Sequence, residues 1–314
     1  MSSEFRLALI GQAAFGKSVL EALLDDDQSV VAVFCPPDRE GSPPDPIKVC
    51  AVSHGIDVFQ FQRMRDAAAI EAFRNLQADL GVMAFVTDIV PLEIIQAPSQ
   101  GTIQYHPSLL PKHRGPSSIN WPIIQGETRT GLSIFWPDDG LDTGPILMQK
   151  DVEIGPNDTL GTVYFDKLFP LGVEAMVESV RLVKAGEAPR IEQDHSQMTY
   201  ESWCRADDAI VNWSKSVEEI YNLVRGCDPS PGANGTFSGE RIKFFSASRD
   251  SASAGGAPGE VAKIDETGIL VNCRNGAIRI GRVQASGRKK QSASEWAEDF
   301  GISPGDRFES TRSD

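Results

Sequence analysis

Short apolar runs alternate with amphipathic stretches through the first half of the chain. Residues 5–10, 29–35, 56–59 and 79–85 read as strands, mostly apolar throughout, as strands covered on both faces are. Between them, residues 11–16 turn into a helix ending near Leu24, a second helix precedes Ile56, and residues 67–77 have helical spacing. Residues 36–46 hold five prolines and read as a surface loop. Further on, a β-rich run at 101–105 stops at His106, because Pro107 disfavours helix at the residue before it. A strand at 132–136 follows, and 146–154 returns as an edge strand. A long amphipathic helix is expected over 159–185. This alternation predicts an α/β fold with a doubly wound, mostly parallel sheet.

The second half has a different rhythm. Residues 188–198 are polar and read as a linker, and 217–225 have helical spacing. After Gly232 come short strands at 241–245, 259–264, 268–273 and 277–283, separated by glycine turns, with a Ser/Ala/Gly-rich loop at 248–256. Such spacing predicts a small β-barrel. We expect a catalytic domain over residues 1–200 and a smaller domain over 201–314.

Composition narrows the classes. With 314 residues and 40% hydrophobic content the chain can build two cores, and no apolar run is long enough to span a membrane. The N-terminus has no signal-peptide pattern, and the five cysteines have no metal-ligand or disulfide-framework spacing, so a cytoplasmic protein with reduced thiols is expected. The net charge of −14 opposes nucleic acid, which needs a basic face to displace phosphate counterions. No metal is expected, since no His, Cys and carboxylate set has the spacing for one.

Candidate chemistry lies in two segments. Gln104-Tyr-His-Pro-Ser-Leu-Leu-Pro-Lys-His-Arg-Gly115 sets a histidine at a strand end. Asp138-Asp-Gly-Leu-Asp-Thr-Gly144 follows another strand and is rich in carboxylate and glycine. Strand ends face the ligand crevice of open α/β sheets, so His106 and Asp142 could form an acid–base pair with its orienting partner. Taken alone, they could equally be an ordinary strand-end histidine and a turn aspartate. His113 is expected to be exposed beside Arg114, His54 to end a helix before Gly55, His195 to lie in the polar linker, and Trp121 and Trp136 to be core. A competing motif, Gly11-Gln-Ala-Ala-Phe-Gly-Lys-Ser18, fits the phosphate-cradling P-loop pattern after a strand and before a helix.

The two segments, 36 positions apart between His106 and Asp142, resemble the 10-formyltetrahydrofolate-dependent formyltransferase family over about residues 6–249. Tyr105-His106-Pro-Ser-Leu-Leu-Pro, Ile119-Asn-Trp121 and Ser133-Ile-Phe-Trp-Pro-Asp-Asp-Gly-Leu-Asp-Thr-Gly144 look most like the hydrolase domain of 10-formyltetrahydrofolate dehydrogenases. Methionyl-tRNA formyltransferases are more distant relatives. The resemblance implies an OB-like fold for the C-terminal barrel and His106 and Asp142 as the catalytic pair. The usual asparagine two residues before the histidine is here Gln104, whose carboxamide would serve the oxyanion. For the folate, it implies a slot drawing on Phe85, Val86, Asp88, Ile89 and Val90, on Ser108 and Leu110, and on Asp138, Asp139, Gly140 and Leu141. It makes 10-formyltetrahydrofolate the co-substrate and leaves the lysine of the P-loop-like segment incidental. Water or a small amine is the favoured formyl acceptor; Met-tRNA, a sugar nucleotide or a peptide precursor are alternatives. No NADP-linked oxidation is expected of this chain, which has no aldehyde-dehydrogenase or carrier segment.

Overall fold

A computed structural model of the protein describes residues 4–250 and 255–309. The chain divides into two compact units. One runs up to Gly115 and takes in Gly131–Val152 and Lys167–Tyr200. The other takes Pro116–Thr130, Glu153–Asp166 and the chain from Glu201 on. No helix among the described residues is long and apolar enough to cross a membrane.

In the first unit, the chain runs β1 (Arg6–Gly11), α1 (Ala13–Asp25), β2 (Ser29–Cys35), α2 (Pro46–Ser53), β3 (Asp57–Gln60), α3 (Ala67–Asn75) and β4 (Leu80–Ala84). It continues with the short α4 (Leu92–Ile95) and β5 (Thr102–His106). The apolar runs become the inner strands: every residue of β4 is buried, as are all but the first of β1. Seven strands form one sheet in the order β3-β2-β1-β4-β5-β6-β7, where β6 is Arg129–Phe135 and β7 is Ile146–Glu153. β7 is its edge, as expected. Strands β1 to β5 pair in parallel, and the strand order reverses between β1 and β4, where a ligand crevice opens in such sheets.

β6 departs from that pattern by pairing antiparallel with β5, His106 opposite Ser133 and Gln104 opposite Phe135. Side chains alternate along β5. Tyr105 therefore packs on one face, 4.4 Å from Phe15 of α1 between ring centroids, while Gln104 and His106 share the other. The expected helix over 159–185 is not uniform. A capped turn (Leu160–Thr162) leads into a π-helical stretch (Val163–Leu168), and only Phe169–Ala185 (α7, the capped turn being α6) is regular. Pro170 has no N–H to give the carbonyl four residues back, so the α-ladder cannot run through it. Gly172 on α7 lets the helix approach Tyr105 closely: a Cβ there would sit 2.6 Å from the tyrosine ring.

The second unit holds α5 (Asn120–Ile124), α8 (Val217–Gly226), β8 (Ala233–Phe237), β9 (Glu240–Asp250), β10 (Val261–Asp265), β11 (Gly268–Cys273), β12 (Gly276–Ala285), β13 (Gln291–Ser292) and α9 (Ala293–Asp299). Its sheet is antiparallel in the order β10-β11-β12-β9-β8, with β13 added to β12. Trp213, Phe244, Trp296 and Phe308 meet in its core. Beyond α9, Arg307 bridges Glu260 beside β10 and Glu309 bridges Thr236 of β8, so one segment stitches the two ends of the sheet together. The loop expected over 248–256 is displaced: residues 248–250 extend β9, and 251–254 lie outside the described residues.

Candidate active site

β5 ends at His106 as the proline requires, and the following loop folds back under the strand. Ser108 is fully buried; its hydroxyl donates to the carbonyl of Lys112 at 2.7 Å. Ser133 of β6 ties the same loop down, donating its hydroxyl to the Ser108 carbonyl and accepting from the Leu110 N–H. Leu110 itself packs with Phe135 and Ile146. The hydroxyl of Ser108 and the side chain of Leu110 are thus already engaged within the fold.

This loop fixes the imidazole. His106 Nε2 lies 2.9 Å from the carbonyl oxygen of His113, which can only accept, so Nε2 carries the proton and Nδ1 is the free ring nitrogen. Nδ1 faces Asp142 Oδ2 at 3.7 Å, and both side chains are buried. The same carboxylate oxygen accepts from the backbone N–H of Gly115 at 2.9 Å. His113, expected at the surface, is buried instead and has φ 53°. Its backbone turns inward to serve His106, an effect invisible in a polar loop sequence.

Because β6 runs antiparallel to β5, Phe135 stands level with Gln104, and the loop after it must double back to bring Asp142 to His106. Three features shape that return. Asp138 Oδ1 accepts from the Gly140 N–H and from the Thr143 hydroxyl. Gly144 passes so near Trp136 that a Cβ would stand 1.8 Å from its carbonyl oxygen. Asp142 takes φ 55°. Phe85, at the end of β4, has φ 61°. Left-handed backbone at Phe85, His113 and Asp142 costs roughly 1–3 kcal/mol each and marks a site whose surroundings hold it in shape.

Gln104 is half-buried, on the face of β5 that carries His106, and its carboxamide has no partner among the described residues. Phe85, Ile89 and Leu141 leave 45%, 75% and 57% of their surface exposed. Val90, by contrast, is core, Val86 packs beside it, and the Asp88 carboxylate is occupied by the N–H groups of Met64 and Ile89. A cavity of about 730 Å³ opens along Leu92, Ile95, Thr102, Trp136, Asp138 and Arg190, and Asp139 also lines it. Trp136 is core as expected, with the Arg190 guanidinium 3.7 Å from its ring centroid; Trp121 is half-buried.

Residues 5–180 match the formyl transferase family, and residues 204–301 match its C-terminal domain. The chain belongs to the formyl transferase family. Among its relatives, it is 40% identical to the mitochondrial 10-formyltetrahydrofolate dehydrogenase of Mus musculus over 285 residues, 89% of this chain but 31% of that enzyme. The chain therefore spans about a third of the length of that relative. It is 35% identical to the methionyl-tRNA formyltransferase of Syntrophus aciditrophicus (strain SB), covering 96% of this chain and 98% of the other. In fold it is similar to an N-formyltransferase from Helicobacter canadensis solved with folinic acid and dTDP-3-aminofucose. That match has a TM-score of 0.68 and 19% identity, over 91% of this chain and 99% of the other.

In this chain the P-loop-like segment is already occupied by protein groups. The Asp45 carboxylate accepts from the Ala13 N–H at 2.9 and 3.0 Å and from the Ile47 N–H, taking the first helix amide a phosphate would need. Lys17 turns away to pair with Glu21 at 3.3 Å. Gly11 is required by packing, since a Cβ would stand 2.6 Å from the Ala84 carbonyl oxygen. Of the other histidines, His54 caps α2, its Nδ1 2.9 Å from the Cys50 carbonyl. Among the described residues, no group of three or more His, Cys, Asp or Glu is arranged to hold a metal ion.

The expected linker at 188–198 is the largest correction. Far from being loose, this segment lies against both chemical loops. Ile191 exchanges both backbone hydrogen bonds with Ile146, and Gln193 is buried beside Asp142. Gln193 is buried because its partners are two backbone carbonyls of the Asp142 loop and the Arg114 guanidinium, a pairing that hydrophobic patterning cannot register.

Proposed function

We propose that the protein removes the formyl group of 10-formyltetrahydrofolate and passes it to water or a small amine, releasing tetrahydrofolate. The reading rests on one observation: a buried histidine whose Nε2–H is held by a backbone carbonyl and whose free Nδ1 faces a buried carboxylate at 3.7 Å. Nδ1 takes the proton of the attacking water or amine, and Asp142 stabilises the positive charge that grows on the ring as it does so. The same imidazolium then returns a proton to the departing nitrogen of the folate. Gln104, on the same strand face with its amide unspent, donates to the oxygen that becomes an oxyanion. The exposed Phe85, Ile89 and Leu141 offer apolar surface for the pterin, with the backbone of Asp138, Asp139 and Gly140 supplying hydrogen bonds.

A second reading is methionyl-tRNA formyltransferase, favoured by the relative that this chain matches over nearly its whole length. The net charge of −14 weighs against it, because tRNA must be held on a basic face. Incubation with 10-formyltetrahydrofolate alone, following tetrahydrofolate release, separates the readings. Release that disappears in His106→Ala makes water a sufficient acceptor. Thermal stabilisation by the folate without release points to a transferase, to be tried with small amines and Met-tRNA. The absence of both release and stabilisation sinks the proposal.

A further inference from the structure

Arg114 is 4% exposed, yet no ion pair among the described residues neutralises it, and its Nε has no partner. A buried cation with neutral partners is costly unless it fixes something of use. Its Nη2 donates to the Gln193 Oε1 at 2.6 Å and to the His195 Nδ1 at 3.0 Å. With Oε1 claimed by a donor, the Gln193 carboxamide must turn its Nε2 the other way. There it donates to the carbonyl of Asp142 at 2.9 Å and to that of Gly144 at 2.7 Å. Two acceptors on one side and a guanidinium on the other leave the amide a single orientation. The strap that carries Gln193 is itself anchored to the histidine loop: the His113 N–H donates to the Thr199 hydroxyl, and the Arg114 N–H donates to the Thr199 carbonyl.

We propose that Gln193 is a positioning residue of the active site, and that Arg114 sets its orientation. The inference rests on the reading of His106 and Asp142 given above. Asp142 holds a left-handed backbone in a loop that has doubled back on itself, and its carboxylate reaches His106 only while that turn stays closed. The two carbonyls that Gln193 clamps are Asp142's own and that of the glycine two residues on. Gln193 reaches no reacting atom; it acts through Asp142.

Gln193→Glu tests this with little change of shape. One carboxylate oxygen still accepts from Arg114, while the other faces the two carbonyls it should have bonded and repels them. Misplacing a catalytic group by about an ångström can cost ~10²-fold. In assays of tetrahydrofolate release, kcat should fall by about that much, while KM for 10-formyltetrahydrofolate stays within about threefold. Thermal stabilisation of the variant by the folate should persist. Wild-type kcat in Gln193→Glu overturns the inference. So does a loss confined to KM, or one accompanied by loss of folate stabilisation, since either would mean a binding or merely structural role. If Gln193→Glu does not fold, Arg114→Lys carries the test: it keeps the charge but loses the planar fork, and the same split, about tenfold in kcat at near-constant KM, is expected. An unchanged kcat there overturns the inference as well. A wild-type protein that turns over no folate with water, amines or Met-tRNA fails at the earlier reading, and the positioning role falls with it.

Discussion

The backbone carbonyl of His113 accepts the Nε2–H of His106 at 2.9 Å, so one histidine's main chain sets the tautomer of another's ring. The free nitrogen is thereby the one that faces Asp142, and on the proposed mechanism it is the one that would take the proton.

Replacing Asp142 by asparagine keeps the shape and removes the charge. The Gly115 N–H can still be accepted by the amide oxygen, so the loop should close. We expect kcat for tetrahydrofolate release to fall about 10²–10⁴-fold, with folate stabilisation in a melting experiment nearly unchanged.

Gln104 can be graded by length. Gln104→Ala removes the donor and should cost about 10²–10³-fold in kcat. Gln104→Asn retains the donor on a shorter arm and should lose less than alanine; steady-state kinetics of both variants checks the order. An alanine variant as active as the wild type would remove Gln104 from the chemistry.

Gly144 has no room for a side chain, a Cβ lying 1.8 Å from the Trp136 carbonyl oxygen. Gly144→Ala should therefore open the Asp142 turn and destabilise the protein by about 1–3 kcal/mol, as overpacking does. Loss of turnover together with a lowered Tm is expected, in contrast to Asp142→Asn, where turnover falls alone.

In the second unit, Glu219 closes the N-terminus of α8. The hydroxyl and backbone N–H of Ser216 donate to its carboxylate, and Lys215 lies beside it. Chiefly through the Ser216 hydroxyl, these contacts pull the glutamate from its ordinary 4.5 down to about 2. A depressed carboxylate stabilises the fold above its unfolded value and loses that contribution as pH falls toward 2. Urea melts at descending pH should show the wild type losing stability between about 4.5 and 2 more steeply than Glu219→Gln, whose amide does not titrate across that window.

Much of the first unit could be read from pattern alone. Apolar runs separated by amphipathic stretches yield β1 to β5 and their helices, because strands buried on both faces must be apolar and covering helices half so. The direction of β6 could not be read: Leu132, Ser133 and Ile134 would be buried alike in a parallel or antiparallel strand, and only pairing with β5 fixes the sense. The strap was hidden for a different reason. Gln193 and Asp142 are 51 residues apart and meet through a carboxamide and a main-chain carbonyl, so the aspartate's side chain carries no trace of the contact. His106 and Asp142 stand out in the sequence because their motifs are long, and the structure brings them to 3.7 Å. His113 does not, since its contribution is a carbonyl that every residue possesses.

The segment at 307–309 bridges Thr236 on one border strand of the C-terminal sheet and Glu260 beside the other. Unpaired sheet borders are templates on which a second chain can add a strand. On that principle those few residues would guard against self-association. Shortening the chain to end at Ile302 would remove Phe308 from the core and uncover Glu260 and Thr236, while Ile210 would still bridge Asn234 of β8. Such a protein should appear in light scattering as growing aggregates even where its first unit still folds.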